Sequence, residues 1–463
     1  MNFKNNCFRV SALALSAAMV FSAASCSSVS KGSVNKNPGE EVENALSESV
    51  NLVVDKDSPA AIANGLKSSG KIHYIVSKDE YSYEVWSNSN AEAAVKIDFD
   101  GETVQAYLSN SGIAVKSETL FGEEKAYGID FKKAGKNLPK SEIWDMLDTD
   151  YEDFYDEYGD EIDAVTDFLG NIGKYVNDGK KAVLSAKKEA YKALKEADHS
   201  TKDDTVKVND GEVKAVVLEY DLEKDIIDDV VDAFADGIEE AKLYDFVDEL
   251  MPHSNIIDGI FSELKYSASE LDGCELTVAI SKSNGALVFA ELNTEYANYT
   301  LDLGVNPAKS EEFVLSCEYK NGDLSEIVYE RSSSKDSLER VLTFKEDGTE
   351  TESFEFELDK KDGSFALKNY FRDTVVSEIT GTLKYSDKSF ELFVGEIDGE
   401  EIGLTVKADT STNVPKLPKF TDALKMSEED IEALGETVQE NLEKLTAGAL
   451  YMSSAASSFA MSY

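Results

Sequence analysis

The sequence predicts an α+β protein built on a large antiparallel β-sheet, with helices packed on one face. Two blocks, residues 71–131 and 273–408, alternate apolar and polar side chains with the period of a half-buried strand. Turn pairs such as Asn321-Gly322 separate the runs, as in hairpins. Between the blocks, apolar residues recur at helical spacing instead. One buried and one solvated face is the pattern of antiparallel sheets.

The folded part is predicted to span residues 57–420 and to begin with a short helix over 57–69. Residues 71–131 then form about six antiparallel strands, because runs such as Val104-Ala106-Leu108 alternate with polar neighbours. The turn signals in this block are Lys78-Asp79, Asp100-Gly101 and Asn110-Ser111-Gly112.

A helical segment is expected over residues 136–200. Ser141 suits the cap of a first helix, and Lys180–Ala197 is rich in strong helix formers. Three glycines interrupt the apolar pattern, so the segment should hold two or three helices and not one rod. These glycines are Gly170, Gly173 and Gly179.

Strands return over residues 206–220, around an Asn209-Asp210-Gly211 turn, and helices follow over 222–270. The clearest of these helices runs from Leu222 to Met251, and a second covers Ile256–Leu264. The first carries an apolar stripe on one face. The stripe consists of Ile226, Ile227, Val230, Val231, Phe234 and Ile238.

The strand block 273–408 follows, and residues 421–463 then contain a terminal amphipathic helix and a frayed tail. Ser427, followed by three acidic residues, is a typical helix cap. Apolar residues recur after it at spacings of three and four, namely Ile431, Leu434, Val438, Leu442 and Leu445.

The first 25 residues have the pattern of a signal peptide: basic residues, then an apolar run too short to span a membrane. The run ends in Ala23-Ala24-Ser25-Cys26, which resembles the lipobox of bacterial lipoproteins. The resemblance implies cleavage before Cys26 and attachment of diacylglycerol to its sulfur. Ala23 departs from the leucine most common in that motif. An ordinary secretory leader, with Cys26 incidental, remains the alternative.

Residues 26–56 are expected to form a lipidated cysteine and a flexible linker. The stretch after Cys26 is rich in Ser, Gly, Asn and Lys and contains too few apolar residues to fold. Two acyl chains would hold such a protein stably on a membrane. The prediction is therefore an exported protein at the outer face of the cell membrane, with the membrane as its partner through Cys26.

Composition excludes some partners. The 463-residue chain has a formal net charge of −45, which repels nucleic acid. Arg331, Arg340 and Arg372 are the only arginines after the leader, so arginine clamps for phosphate are scarce. Cationic ligands remain compatible, although an acidic surface that aids solubility is the preferred explanation of the charge.

Cys274 and Cys317 are the two cysteines after Cys26, and each lies on the apolar phase of a predicted strand. A disulfide between them is compatible with export. Two separate buried thiols are an equal alternative, because cysteine packs well as a small hydrophobic residue.

No catalytic, metal or cofactor site is predicted. The chain has no Gly-x-Ser-x-Gly, His-Glu-x-x-His, phosphate-binding glycine loop or Cys-x-x-Cys motif, and its three histidines lack ligand or acid–base spacing. The acid-rich run 145–167 begins like a calcium-binding EF-hand loop at Asp148. It lacks the required glycine at Asp153 and the bidentate glutamate at Gly159.

The order of helix, hairpins, helical segment and hairpins over residues 57–408 resembles the LolA and LppX–LprG group of lipoprotein-carrier and lipid-binding proteins. This resemblance implies a strongly curved sheet that wraps around helices and encloses an apolar cavity. It carries over no binding residue, and this chain is much longer than those proteins.

The favoured hypothesis is a non-catalytic cell-envelope lipoprotein of a Gram-positive-like bacterium that binds an apolar or amphiphilic ligand or an envelope partner. One alternative is a structural or adhesive surface module without a ligand cavity. Another is an envelope glycan-acting enzyme, which would need paired carboxylates in a cleft.

Overall fold

The computed structural model describes residues 70–441, except residues 100, 148, 197–198 and 387 and most of 240–271. These residues form mostly antiparallel β-sheet with a few helices, as the sequence predicts. No helix in this part of the chain combines the length and the apolar character needed to cross a membrane.

Several predictions concern residues outside this description. They are the signal peptide 1–25, Cys26, the linker 26–56, the helix over 57–69, most of the Ile256–Leu264 helix and the chain beyond residue 441.

Twenty strands lie within the described residues. They are β1 Lys71–Lys78, β2 Tyr81–Asn88, β3 Ala93–Phe99, β4 Glu102–Ser109, β5 Gly112–Lys116, β6 Ala126–Asp130, β7 His199–Val208, β8 Gly211–Leu222, β9 Cys274–Ser281, β10 Leu287–Asn293, β11 Ala297–Asp302, β12 Glu312–Tyr319, β13 Leu324–Ser333, β14 Ser337–Glu346, β15 Thr349–Asp359, β16 Ser364–Phe371, β17 Thr374–Tyr385, β18 Ser389–Ile397, β19 Glu400–Asp409 and β20 Thr421–Asp422.

The helices are α1 Glu118–Phe121, α2 Phe131–Asn137, α3 Ile143–Met146, α4 Tyr151–Glu196, α5 Lys224–Glu239 and α6, residues 428–441. Single 3₁₀ turns cover Leu138–Lys140 and Ala423–Lys425.

The chain divides into two compact units that alternate along the sequence. Unit 1 contains the described residues of Lys180–Ala241 and Asn255–Glu378. Unit 2 contains those of Ile62–Gly179, Lys242–Ser254 and Ile379–Tyr463. The boundaries fall inside α4 and inside β17, a division that the sequence did not indicate.

Unit 1 contains a ten-stranded antiparallel meander in which each strand from β7 to β16 pairs with the next. Such short connections follow from the hairpin turns seen in the sequence. At Asp347-Gly348, for example, both residues have positive φ, of 49° and 74°, as a tight two-residue hairpin requires.

The face of this sheet that carries Leu218 and Val278 is apolar, and α5 packs against part of it. The opposite face has its own buried apolar cluster, which includes Val213, Val217 and Val288. Leu218 on β8 and Val278 on β9 are opposite each other in the ladder and are 1% and 4% exposed. Val231 and Ile226 of α5 pack into the same cluster. These two residues of the apolar stripe predicted for the helix therefore face the sheet.

In unit 2 the strands pair in the order β17–β18–β19–β1–β2–β3–β4–β5–β6–β20. All of its pairings are antiparallel except that between β20 and β6. The six strands predicted for residues 71–131 are β1–β6. Their turns at residues 79–80 and 110–111 coincide with the turn signals of the sequence.

A segment of irregular chain, residues 411–420, connects β19 to β20 across one face of the unit 2 sheet, and we call it the strap. Lys71 Nζ donates to the Ser411 carbonyl and to Asn413 Oδ1, both at 2.8 Å. A Cβ built on Gly112 of β5 would lie 3.3 Å from the Phe420 ring. The strap therefore crosses one end of this face, from β1 to β5.

The helix–strand boundary near residue 200 differs from the prediction. Strands were expected from residue 206, but β7 begins at His199 and pairs with β8 over ten residues, from His199–Tyr220 to Val208–Gly211. The first half of β7 is polar and exposed. Pairing with β8, not an alternating pattern of its own, therefore makes it a strand.

The interruptions predicted for the helical segment occur only in part. Helix α4 has non-helical backbone at Tyr158 and at Asn171, which follows Gly170, whereas Gly173 lies within the helix. A Cβ on Gly173 would lie 2.9 Å from Asn110 Cγ. This glycine permits close packing and does not break the helix.

Candidate functional site

Cys274 and Cys317 are both buried, as predicted, but they do not form a disulfide with each other. Cys274 is on β9 and Cys317 on β12, with β10 and β11 between them. Three strand spacings amount to roughly 14 Å, beyond the ~7 Å Cα separation that a disulfide can bridge. The alternative of two separate buried thiols is the one that the structure has.

The Cys274 thiol is a poor candidate for a reactive site. Burial raises its pKa, and the nearby charge of Asp272 adds to the effect. A raised pKa disfavours the thiolate, which is the reactive form. Cys274 therefore belongs to the packed interior of unit 1.

The acid-rich run 145–167 lies largely on α4. Residues 151–157 are helical, so most of the EF-hand-like stretch is part of a helix and does not form the loop that a calcium site of this type needs. Asp150 Oδ1 accepts the Asp153 N–H at 2.9 Å, and Tyr155 donates its hydroxyl to Asp163 at 2.7 Å. Helix capping and hydrogen bonding along the helix account for several of these carboxylates.

The apolar face of unit 1 extends beyond α5, across β13–β16. One cross-strand row, Leu338, Leu358 and Phe365, is buried. The apolar side chains in the neighbouring cross-strand rows of β13–β16 are only half-buried, and Phe371 at the end of β16 is 52% exposed. The half-buried apolar residues are Ile327, Tyr329, Leu342, Phe344, Phe354, Phe356 and Leu367.

Two arginines lie within this apolar face. Arg331 on β13 and Arg340 on β14 are opposite each other in the ladder, beside Phe356. The Arg331 guanidinium lies 4.8 Å from the Phe313 ring centroid, and its Nε donates to the Ser310 carbonyl at 2.9 Å. The face therefore combines aromatic surface with two cationic groups.

The opposite face of β14 and β15 carries a group of three carboxylates. The ligand oxygens of Glu339, Glu355 and Glu357 lie within 4.8 Å of one another, the only such group among the described residues. Glu355 accepts the Tyr370 hydroxyl at 2.8 Å, and this bond, aided by burial, raises the pKa of Tyr370 to about 12. Lys368 Nζ lies 3.8 Å from Glu357, so two of the three carboxylates already have protein partners.

The polar face of unit 2, on which the strap lies, carries a network of ion pairs on β1–β3. Lys96 Nζ lies 3.3 Å from Glu84 Oε1 and also contacts Asp98. His73 Nε2 lies 3.1 Å from the other Glu84 oxygen, and its ring stacks on Trp86 with centroids 4.5 Å apart. His73, one of the three histidines of the chain, is therefore held inside a paired network.

Asp98 receives two further hydrogen bonds, from Thr103 at 2.5 Å and from Ser82 at 3.2 Å. Burial acts to raise the pKa of Asp98, but these donors and Lys96 outweigh it and hold the pKa below its usual value. Burial likewise acts to lower the pKa of Lys96, which its two carboxylate partners nevertheless raise. Both groups are thus kept charged.

A cavity of about 630 Å³ opens beside this network in unit 2. It is formed by the β3–β4 turn, by β4 and β5, by the chain around α1 and by the end of α6. Among the residues that the structure describes, the lining consists of nine polar or charged residues and two glycines, with no apolar residue. The polar residues include Glu102, Gln105, Lys116, Glu118, Glu124 and Asn441.

Comparison with known proteins found no matching protein family, curated protein or solved structure. The fold and these surfaces are therefore the basis for the function proposed below.

Proposed function

We propose that this protein is a non-catalytic lipoprotein of the cell envelope that binds an amphiphilic ligand on the apolar face of unit 1. Cys26 would carry its acyl anchor at the outer face of the cell membrane. A curved, LolA-like sheet that exposes part of its apolar face is the arrangement this proposal requires.

The proposal rests on the change in side-chain burial along the apolar face of unit 1. Beneath α5, Leu218 and Val278 are 1% and 4% exposed, as expected of a closed core. Across β13–β16, aromatic side chains such as Phe354 and Phe356 remain half-buried. A sheet face of this kind can take up further apolar surface, and burying about ten methylene groups of an acyl chain would contribute about 8 kcal/mol before ordering costs.

The arginine pair favours an amphiphile over a wholly apolar ligand. Arg331 and Arg340 lie opposite each other in the ladder, so an anionic headgroup beside them would contact two positive charges at once. Guanidinium groups also form strong, directional hydrogen bonds with phosphate and carboxylate oxygens. The acyl chain would then lie along the aromatic rows of β14–β16.

Dye binding tests the proposal. The full chain carrying Cys26→Ala, which lacks its own acyl anchor, would be titrated with a naphthylamine dye that fluoresces in apolar surroundings, followed by displacement with oleate. Saturable binding that Phe356→Asn weakens at least tenfold is expected, since a large apolar contact contributes ~1.5–3 kcal/mol. Glu357→Gln, the next residue of β15 but on the opposite face, should bind as the parent does.

Circular dichroism of each variant would establish that the fold is retained. Absence of saturable dye binding by the parent chain, or equal binding by Phe356→Asn and the parent, would contradict the proposal.

A further inference from the structure

We infer that the polar cavity of unit 2 is a second binding site, which takes a neutral, polyhydroxylated ligand such as a short oligosaccharide. This goes beyond the amphiphile site, because the described lining of the cavity lies in unit 2 and contains no apolar residue. Its volume of about 630 Å³ lies within the range typical of small-molecule sites.

The side chains around the cavity are held in place by bonds to one another. Lys116 Nζ lies 3.0 Å from Glu124 Oε1, and Thr119 donates its hydroxyl to Glu102. Ser117, which is 1% exposed, accepts the Leu120 N–H at 3.1 Å. The buried Ser117 cap therefore fixes the start of α1, while the Lys116–Glu124 pair lies at the solvent-exposed rim of the cavity.

Helix α6 closes the same region. Asn441 Nδ2 donates to the Leu120 carbonyl at 3.4 Å, and a Cβ on Gly122 would lie 3.7 Å from Thr437 Cγ2. Gln105, which lines the cavity on β4, accepts the hydroxyl of Tyr107 on the same strand. The lining thus comes from three separate parts of unit 2 held together by hydrogen bonds.

The chemistry of the lining selects the ligand class. Ammonium, amide and hydroxyl groups supply donors, while carboxylate and amide oxygens supply acceptors. Sugar hydroxyls both donate and accept, and so they match such a mixed lining. Glu102, Glu118 and Glu124 outnumber Lys116 as charged groups, which disfavours anionic ligands such as phosphates. The absence of apolar lining disfavours an acyl chain.

Saturation-transfer NMR on the full chain carrying Cys26→Ala tests this site. Chitotetraose, cellotetraose and maltotetraose would each be presented at millimolar concentration, and at least one should receive saturation from the protein. Gln105→Ala and Lys116→Met should each weaken its binding about 2- to 10-fold, as expected for the loss of one hydrogen-bonding group. Glu80→Gln, in the exposed turn between β1 and β2 of the same unit, serves as the matched control and should have no effect.

No saturation transfer to any of the three tetrasaccharides would overturn the inference. Binding that persists unchanged in both cavity variants would overturn it as well, because the sugar would then bind elsewhere. If spermidine bound and no sugar did, and if Glu118→Gln lost spermidine binding, the cavity would be a cation site. That result would reject the proposed ligand class. Dye binding by unit 1 should be unchanged in the cavity variants, so failure of this inference is distinguishable from failure of the proposed function.

Discussion

Arg331 on β13 lies directly opposite Arg340 on β14, within the apolar face of unit 1. The chain contains four arginines in all and has a net charge of −45. Two of its few guanidinium groups are thus neighbours on a face that is otherwise mainly aliphatic and aromatic. The first prediction depends on this pair.

Arg340→Gln should weaken the binding of an anionic amphiphile more than that of a neutral one. A hydrogen bond to a charged group contributes ~1.5–3 kcal/mol, so oleate affinity should fall roughly tenfold or more while dodecyl maltoside affinity stays unchanged. Displacement of the naphthylamine dye measures both. Lys368→Gln, which removes a positive charge from the opposite face of the same sheet, is the control. Equal losses for both amphiphiles would contradict a headgroup role for Arg340.

Gly237→Ala should destabilise unit 1. A Cβ at Gly237 of α5 would lie 2.7 Å from Ala186 Cβ on α4, and Ala186 is fully buried. Overpacking of this kind typically costs ~1–3 kcal/mol, which urea denaturation would measure. Gly135→Ala on α2 is the control, because open space surrounds that position. The control should be neutral or slightly stabilising, by up to about 1 kcal/mol. Equal stability of Gly237→Ala and the parent would show that α4 and α5 do not approach so closely.

The contribution of Asp98 to stability should depend on pH. Its folded-state pKa is held below the unfolded value of about 3.9, so its stabilising contribution is complete above the unfolded pKa. That contribution is lost as the pH falls through the lower folded-state value. Asp98→Asn should therefore destabilise the protein by about 1 kcal/mol at pH 7, a modest amount because the side chain is 25% exposed.

The difference between Asp98→Asn and the parent should shrink in acid, as followed by urea denaturation at several pH values. Glu80→Gln should not differ from the parent at any of them. If the loss of stability caused by Asp98→Asn grew as the pH fell, the charged form of Asp98 would not be the stabilising one, and the prediction would be contradicted.

Cys274 and Cys317 should both remain thiols. Denaturing a variant that carries both Cys7→Ala and Cys26→Ala in iodoacetamide, without reductant, should add two carbamidomethyl groups by mass, one for each remaining cysteine. The same treatment without denaturant should label slowly, since both side chains are buried. If no carbamidomethyl group were added before reduction and two were added after it, the two cysteines would form a disulfide. That result would contradict the strand order from β9 to β12.

Cys26 should carry the membrane anchor. Metabolic labelling with an alkyne fatty acid should mark the wild-type protein and not Cys26→Ala. Unchanged labelling of the variant would reject the lipobox interpretation.

The strands were the part of the fold that the sequence predicts best, because the signals that define them lie within short stretches of the chain. Each hairpin turn is specified by its own residues, as at Asp347-Gly348, and each strand by alternation within about ten residues. The start of β7 at His199 was missed because that strand is polar and depends on pairing with β8. The role of Gly173 was missed because it depends on the approach of Asn110, sixty-three positions earlier in the chain.

The candidate sites were less accessible, since they combine residues from distant strands. No sequence pattern relates Arg331 to Arg340 until the register of β13 and β14 is known. Gln105 and Lys116 are likewise recognisable as neighbours only from the pairing of β4 and β5. The division into two units, with boundaries inside α4 and β17, leaves no break in the sequence pattern.

The central claim is that the apolar face of unit 1 holds an amphiphile. Native mass spectrometry of the chain carrying Cys26→Ala, purified from an envelope fraction without detergent, tests it most directly. We expect a bound species that organic extraction identifies as an amphiphile with an anionic headgroup. Phe356→Asn should carry less of it, and Glu357→Gln should carry as much as the parent chain. A ligand-free mass for the parent chain, together with no uptake of added oleate, would contradict it.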